Sequence, residues 1–231
     1  MKGPGLLHRA CLLGLILLAS VGLPAGLAWS AVHAAPFPRG KTRPVEWAQL
    51  IDKRLNLYRM QPGLYRSALP DGAAQPLLEA LGVVTLINLH QASDADWLRD
   101  PRIRQVHLPL RTRHIDDADV IQVLRSIREA QANGPVLIHC KHGQDRTGLI
   151  AAMYRILYQG WSKAQALAEM HQAGFGGEDR LGNTERYLRQ VDVGRLRAAL
   201  DSGACSTRRW ALCRVKAWLG EALENPHGSR T

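Results

Sequence analysis

The chain has 231 residues, 46% of them hydrophobic and 22% charged, with 30 Lys and Arg against 20 Asp and Glu and a formal charge of +10. The basic balance suits an anionic substrate or an acidic partner face. With no basic run interleaved with aromatics, it argues against nucleic acid.

Residues 1–34 read as a secretory signal peptide. Lys2 and Arg9 give a positive start, residues 6–21 are mostly apolar, and Val32-His33-Ala34 offers small residues for cleavage. The competing reading is an uncleaved anchor, but the uninterrupted apolar stretch, residues 10–21, is short of the roughly 20 residues that a spanning helix needs. Removing these 34 of 231 residues, two of them basic and none acidic, leaves 197 residues at +8. That length suits one domain with a substantial core. The expected location is periplasmic or secreted, with no stable membrane span after cleavage. Residues 35–45, Pro-rich and basic at their start, form a flexible lead-in, residues 46–224 a single domain, and residues 225–231 a frayed tail.

Trp47, Leu50, Ile51 and Leu55 begin the folded part. Residues 63–70 read as a short strand entering a turn, and residues 75–81 as a short helix. Residues 83–89 are continuous, apolar and β-branched, the pattern of a buried central strand. Residues 105–109 form another strand, ended by Pro109. Over residues 117–131, Val120, Val123, Leu124 and Ile127 recur at helical spacing, and Asn133-Gly134-Pro135 stops that helix. A buried strand, Val136-Leu137-Ile138, leads into His139-Cys140, and Ala151, Met153, Tyr154, Ile156 and Leu157 mark a buried helix face beyond it. Ser162 is placed to cap a helix through Met170, and Gly174-Phe175-Gly176-Gly177 breaks it. Helical stretches follow at residues 183–191 and 207–223, where Trp210, Val215, Trp218 and Leu219 are expected to pack on the core. Alternating strands and helices imply an α/β fold, a central and mostly parallel sheet flanked by helices, with a helical C-terminal half.

The segment His139-Cys140-Lys141-His142-Gly143-Gln144-Asp145-Arg146-Thr147-Gly148 joins that strand to that helix. A short loop there can turn its N–H groups inward, and the helix N-terminus adds positive potential, so the loop is an anion cradle. Such surroundings favour a thiolate at Cys140, the nucleophilic form. Arg146 can hold two phosphoryl oxygens at once. Gly143 lets the backbone turn where a side chain would block the anion, and Thr147 brings a hydroxyl that can ease departure of the sulfur. The chemistry this predicts is phosphoryl transfer to Cys140, then hydrolysis. Lys141, His142, Gly143, Gln144, Asp145 and Arg146 are the candidate phosphate-binding positions.

The pattern His139-Cys140-x-x-Gly143-x-x-Arg146-Thr147-Gly148 resembles the active-site loop of Cys-based protein tyrosine phosphatases, dual-specificity branch. Tyr65-Arg66-Ser67-x-x-Pro70 resembles the N-terminal strand of their small bacterial and fungal members. The resemblance implies hydrolysis of phosphotyrosine, with phosphoserine or phosphothreonine as further substrates. It also implies that His139 supports the loop by hydrogen bonding from behind. The implied partner is a phosphorylated signalling protein, membrane-anchored in the case of a diguanylate cyclase, and the expected state is a monomer. Fungal relatives with a Lys-Asp-Arg-Thr-Gly ending, where this chain has Gln144-Asp145-Arg146-Thr147-Gly148, act on inositol pyrophosphates, which keeps inositol or lipid-linked phosphates as an alternative. An inactive phosphate-binding adaptor is a third reading, disfavoured because Cys140, Arg146 and Thr147 are all present.

Members of this family take a proton donor from an Asp upstream of the Cys loop. Asp116 and then Asp117 are the candidates here, although either also suits the N-cap of the helix that follows. In similar chains an Asp stands three residues ahead of such a pair, where this chain has Arg113. Asp145 is a further candidate, since myotubularin-type phosphatases carry an Asp at the matching loop position; its alternative role is to orient Arg146. Cys205 and Cys213 lie close in sequence and far from the loop, which suggests a disulfide in an exported protein, with two buried unpaired thiols as the alternative. The histidines show no metal-ligand spacing, so no metal or other cofactor is expected.

Overall fold

The computed structural model describes residues 44–176 and 182–208. The expected signal peptide, residues 35–43, nearly all of the expected helix at 207–223 with its tryptophans, Cys213 and the expected tail lie outside the described residues. Among the described residues, no helix is long and apolar enough to cross a membrane.

Six strands form one sheet in the order β1-β2-β3-β6-β4-β5. They are β1 (Gln49–Asp52), β2 (Leu57–Gln61), β3 (Leu64–Ser67), β4 (Thr85–Asn88), β5 (Arg104–His107) and β6 (Val136–His139). The pairs β3·β6, β6·β4 and β4·β5 are parallel, whereas β1·β2 and β2·β3 are antiparallel. The sheet is therefore mixed, parallel at its centre and closed on one side by a hairpin ribbon. The sequence reading sets no element at β2, although Tyr58 and Met60 alternate there with Arg59 and Gln61, the pattern of a half-buried strand.

Strand β6 lies between β3 and β4 with all four residues buried. Its side chains divide by the period of two. Val136 and Ile138 join the core formed with helices α2 (Asp117–Gln131), α3 (Asp145–Tyr158), α4 (Lys163–Gln172), α5 (Gly182–Gln190) and α6 (Val193–Asp201). Leu137 joins the smaller core on the other face, with Leu78 of α1 (Gln75–Ala80), Leu98 and Ile103. A strand covered on both faces needs an unbroken apolar run, which is what Val136-Leu137-Ile138 supplies.

The helix boundaries follow local chemistry. Asp116 caps α2: its Oδ1 accepts from the amides of Ala118 and Asp119, and Asp119 Oδ2 accepts from the amide of Asp116, a reciprocal box. Ser162 and Gln165 make the equivalent box at α4. Helix α3 is buried on nearly every side, from Thr147 to Leu157, and its one buried arginine, Arg155, is held by Glu169 of α4 through two bonds of 3.0 and 2.7 Å.

Candidate active site

Cys140 follows β6 directly and is 2% exposed. The residues after it climb through a four-residue loop into α3, which starts at Asp145. What shapes this loop is where its carbonyls go. His139 O accepts from the amide of Leu89 at 2.8 Å, and Lys141 O from the amide of Leu69 at 3.2 Å. His142 O accepts from Asn56 Nδ2 at 3.0 Å, Gly143 O from Arg66 Nη2 at 2.7 Å, and Gln144 O from the amide of Gly148 at 2.7 Å. Each carbonyl is thus bound outside the loop. Among the described residues, the amides of Lys141, His142, Gly143 and Gln144 donate to no protein acceptor. Four such donors in consecutive residues at a helix N-terminus make an anion nest.

Gly143 is required for this path. Its φ is +74°, and a Cβ there would lie 2.7 Å from the carbonyl of Ser67 and the amide of Ala68. A side chain would meet rigid backbone that cannot move aside.

Arg146 is half-buried at the first turn of α3. Its Nη1 donates to Leu89 O at 3.3 Å, and its Nε is buried without a hydrogen-bond partner among the described residues. The hydroxyl of Thr147 is wholly buried and is not hydrogen-bonded to the sulfur in this arrangement. His139 is wholly buried, and its Nε2 is 2.9 Å from Asp94 Oδ2, while Asp94 Oδ1 accepts from Trp97 Nε1 at 2.9 Å. His139 therefore ties the strand end to the segment after β4. His90 lies near the same charges: partial burial, then Arg146 and Lys141, hold its imidazole below the ordinary value.

Two hollows adjoin the loop. Lys141, His142 and Gln144 line one of about 760 Å³, together with Lys53 and Phe175. Arg146 lines the other, of about 400 Å³, with Arg111, Thr112, Arg113 and His114. No Asp or Glu lines either one among the described residues.

The carboxylates proposed from sequence are placed as follows. Asp116 caps α2 through Oδ1. Asp117 has both oxygens engaged, Oδ1 by Tyr187 Oη at 2.8 Å and Oδ2 by the hydroxyl of Thr207. Asp145 sits half-buried in the first turn of α3, beside Arg146. Sequence reasoning passed over Arg66 and Asn56 as parts of the site. The available signal was a charged residue inside Leu64-Tyr65-Arg66-Ser67, a strand buried throughout. Asn56 carries φ +49°, the one non-glycine in the left-handed region among the described residues, and its amide bridges His142 O and Phe175 O.

A family model described as "Swiss Army Knife protein, DSP-PTPase phosphatase domain" matches residues 70–194. The chain is 46% identical over 220 residues to the dual specificity protein phosphatase TpbA of Pseudomonas aeruginosa, covering 95% of this chain and 100% of that protein. A crystal structure of P. aeruginosa TpbA in complex with pTyr superposes with a TM-score of 0.68 at 48% identity, covering 70% of this chain and 100% of that one. The catalytic core of the S. cerevisiae PP-IP phosphatase SIW14, 22% identical over 64% of this chain and 93% of its own, shares the fold at a TM-score of 0.54. With an outward-bound Cys loop on that fold and a full-length relative at this identity, the chain belongs to the Cys-based dual-specificity protein phosphatases.

Proposed function

We propose that this phosphatase is exported and removes phosphate from tyrosine, and from serine or threonine, on signalling proteins outside the cytoplasm. The observation that carries the reaction is the set of four consecutive amides after Cys140 that, among the described residues, find no protein acceptor, together with the buried and unpartnered Nε of Arg146 at the start of α3. The Cys140 thiolate attacks phosphorus in line with the leaving oxygen. Charge gathers on three equatorial oxygens, where the amides and the guanidinium meet it. The P–O bond breaks, and the leaving oxygen takes a proton. Water then attacks the cysteinyl phosphate and passes a proton to the carboxylate that gave one up, and the electron pair of the P–S bond returns to sulfur.

Asp116 and Asp145 are the carboxylates proposed to give that proton. Asp116 caps α2 with one oxygen and keeps the other, whereas Asp117 would have to release both Tyr187 and Thr207. The apolar leader of residues 10–21 supports export. A Cys205–Cys213 disulfide belongs to the same proposal: Cys140 is the free cysteine among the described residues, and Cys205 is not one. The pTyr complex of TpbA supports phosphotyrosine as substrate. A membrane-anchored diguanylate cyclase is the proposed kind of partner.

A panel of phosphopeptides assayed beside inositol phosphates tests this reading, with Cys140→Ser as the inactive control. Turnover of phosphotyrosyl peptides that disappears in Cys140→Ser supports it. Turnover of inositol phosphates alone overturns it. Mass spectrometry of the periplasmic fraction, without reductant, tests cleavage after Ala34 and the disulfide together.

A further inference from the structure

The hollow on the Arg146 side is walled by one tight turn. The amide of His114 donates to Arg111 O at 3.0 Å and closes the turn on itself. At its base, the amide of Leu110 donates to Leu89 O at 3.2 Å, and Gln91 Nε2 donates to Leu110 O at 3.0 Å. Leu89 O is also the acceptor for Arg146 Nη1 at 3.3 Å. The turn and the phosphate-binding arginine therefore hang from one carbonyl, which fixes the spacing between them.

Among the described residues, no ion pair compensates the charge on this turn. Arg111, Arg113 and His114 are exposed, and among the described residues neither arginine forms an ion pair. Exposed Arg54, Arg102, Arg189 and Arg195 each sit within 3.3 Å of a carboxylate, whereas exposed Arg59, Arg99, Arg104 and Arg186 form no ion pair among the described residues; what distinguishes Arg111 and Arg113 is the hollow they share with Arg146. The acids nearest in sequence to the turn are turned to other work. Asp116 and Asp119 form the capping box, and Asp117 binds Tyr187 and Thr207. Two guanidiniums and an imidazole are left facing a hollow of about 400 Å³ that Arg146 shares. Among the described residues, this wall carries no carboxylate.

We propose that Arg111, Arg113 and His114 form a second anion subsite, which takes a carboxylate or phosphate carried by the same substrate beside the phosphoryl group held at Arg146. This rests on the phosphatase reading and names the substrate class of that site: phosphate esters with a second negative group close by. An acidic residue flanking a phosphorylated residue has this chemistry, and so does a neighbouring phosphate on a polyol. Planar guanidiniums suit either, because each can bind two oxygens at once.

The test compares the parent with an Arg111→Gln/Arg113→Gln variant on 4-nitrophenyl phosphate, on phosphotyrosyl peptides flanked by Glu or by Ala, and on inositol hexakisphosphate. The parent is expected to show a KM about tenfold lower for the Glu-flanked peptide, the size of two exposed charge pairs. That advantage shrinks with added salt. The variant loses the advantage and keeps the parent's kcat and KM on 4-nitrophenyl phosphate. Equal KM values for the two peptides in the parent overturn the subsite, as does an advantage that survives in the variant. If inositol hexakisphosphate alone is turned over, and the variant raises its KM, the subsite stands with a polyol phosphate as its source and the protein-phosphatase reading falls. Peptide Kd values on Cys140→Ser protein, with and without the two substitutions, need no turnover and so separate failure of the subsite from failure of the phosphatase reading.

Discussion

The guanidinium of Arg66 sits over the ring of Phe175, its Cζ 3.6 Å from the ring centroid. The same guanidinium donates to Gly143 O at 2.7 Å, and the whole residue is 2% exposed. A cation on strand β3 thus joins the Cys loop to the segment after α4. Burial pulls its pKa down to about 10, against the pull of Glu169 and Cys140, so it remains charged at neutral pH. The Cys loop rests on a buried positive charge as well as on the helix N-terminus.

Arg66→Met is expected to lower kcat on aryl phosphates by tenfold or more, because the Gly143 carbonyl loses its partner and the loop its underlying charge. Stability should move less than activity, since removing a desolvated charge offsets part of the lost packing. Arg66→Lys should recover some activity by restoring charge without the planar stack. The decisive comparison is Tm beside kcat: a collapse of Tm in step with activity would make Arg66 a filler of space only.

Gly143→Ala places a Cβ 2.7 Å from three backbone atoms at a φ of +74°. Left-handed backbone alone costs an L-residue about 1 kcal/mol or more, and the clash adds to it. The expected result is a lower denaturation midpoint and loss of competitive inhibition by inorganic phosphate. Retained inhibition would show that the loop's path tolerates a side chain.

Asp116 separates two roles through two variants. Asp116→Ala is expected to cost about 1 kcal/mol, the usual value of an N-cap. Asp116→Asn keeps the cap, so its Tm should stay near the parent's. If Asp116 gives the proton, Asp116→Asn slows an alkyl phosphate far more than 4-nitrophenyl phosphate, whose leaving group needs little help. Equal effects on both substrates would transfer the role to Asp145.

Tyr187 makes stability fall at high pH. Burial, then its hydrogen bond to Asp117, holds the phenol far above its ordinary value of 10.0. The unfolded chain releases this proton near pH 10, while the folded chain keeps it. The folded state therefore has the full benefit below pH 10 and loses it progressively above. Urea titrations at pH 8 and about pH 11 should show this loss in the parent and a smaller one in Tyr187→Phe. An identical pH dependence in both proteins would remove Tyr187 from the account.

Local pattern was enough to place the centre of the molecule. Val136-Leu137-Ile138 could be only a strand covered on both faces, and α2 begins and ends where Asp116 and Asn133-Gly134 require. The spacing of Cys140, Gly143, Arg146 and Thr147 carried the chemistry without any coordinates, because a nucleophile, a turn and an anion clamp must occupy one short loop. Long-range pairing determined the rest. The loop's carbonyls are bound by Leu89, Leu69, Asn56 and Arg66, and no periodicity in the chain links those four positions to residues 139–143. The engagement of Asp117 by Tyr187 and Thr207 also joins distant segments. A sequence displays what each residue prefers within a turn or two of its neighbours. Which donors are free and which acids are spoken for is settled only when segments far apart compete for the same hydrogen bonds.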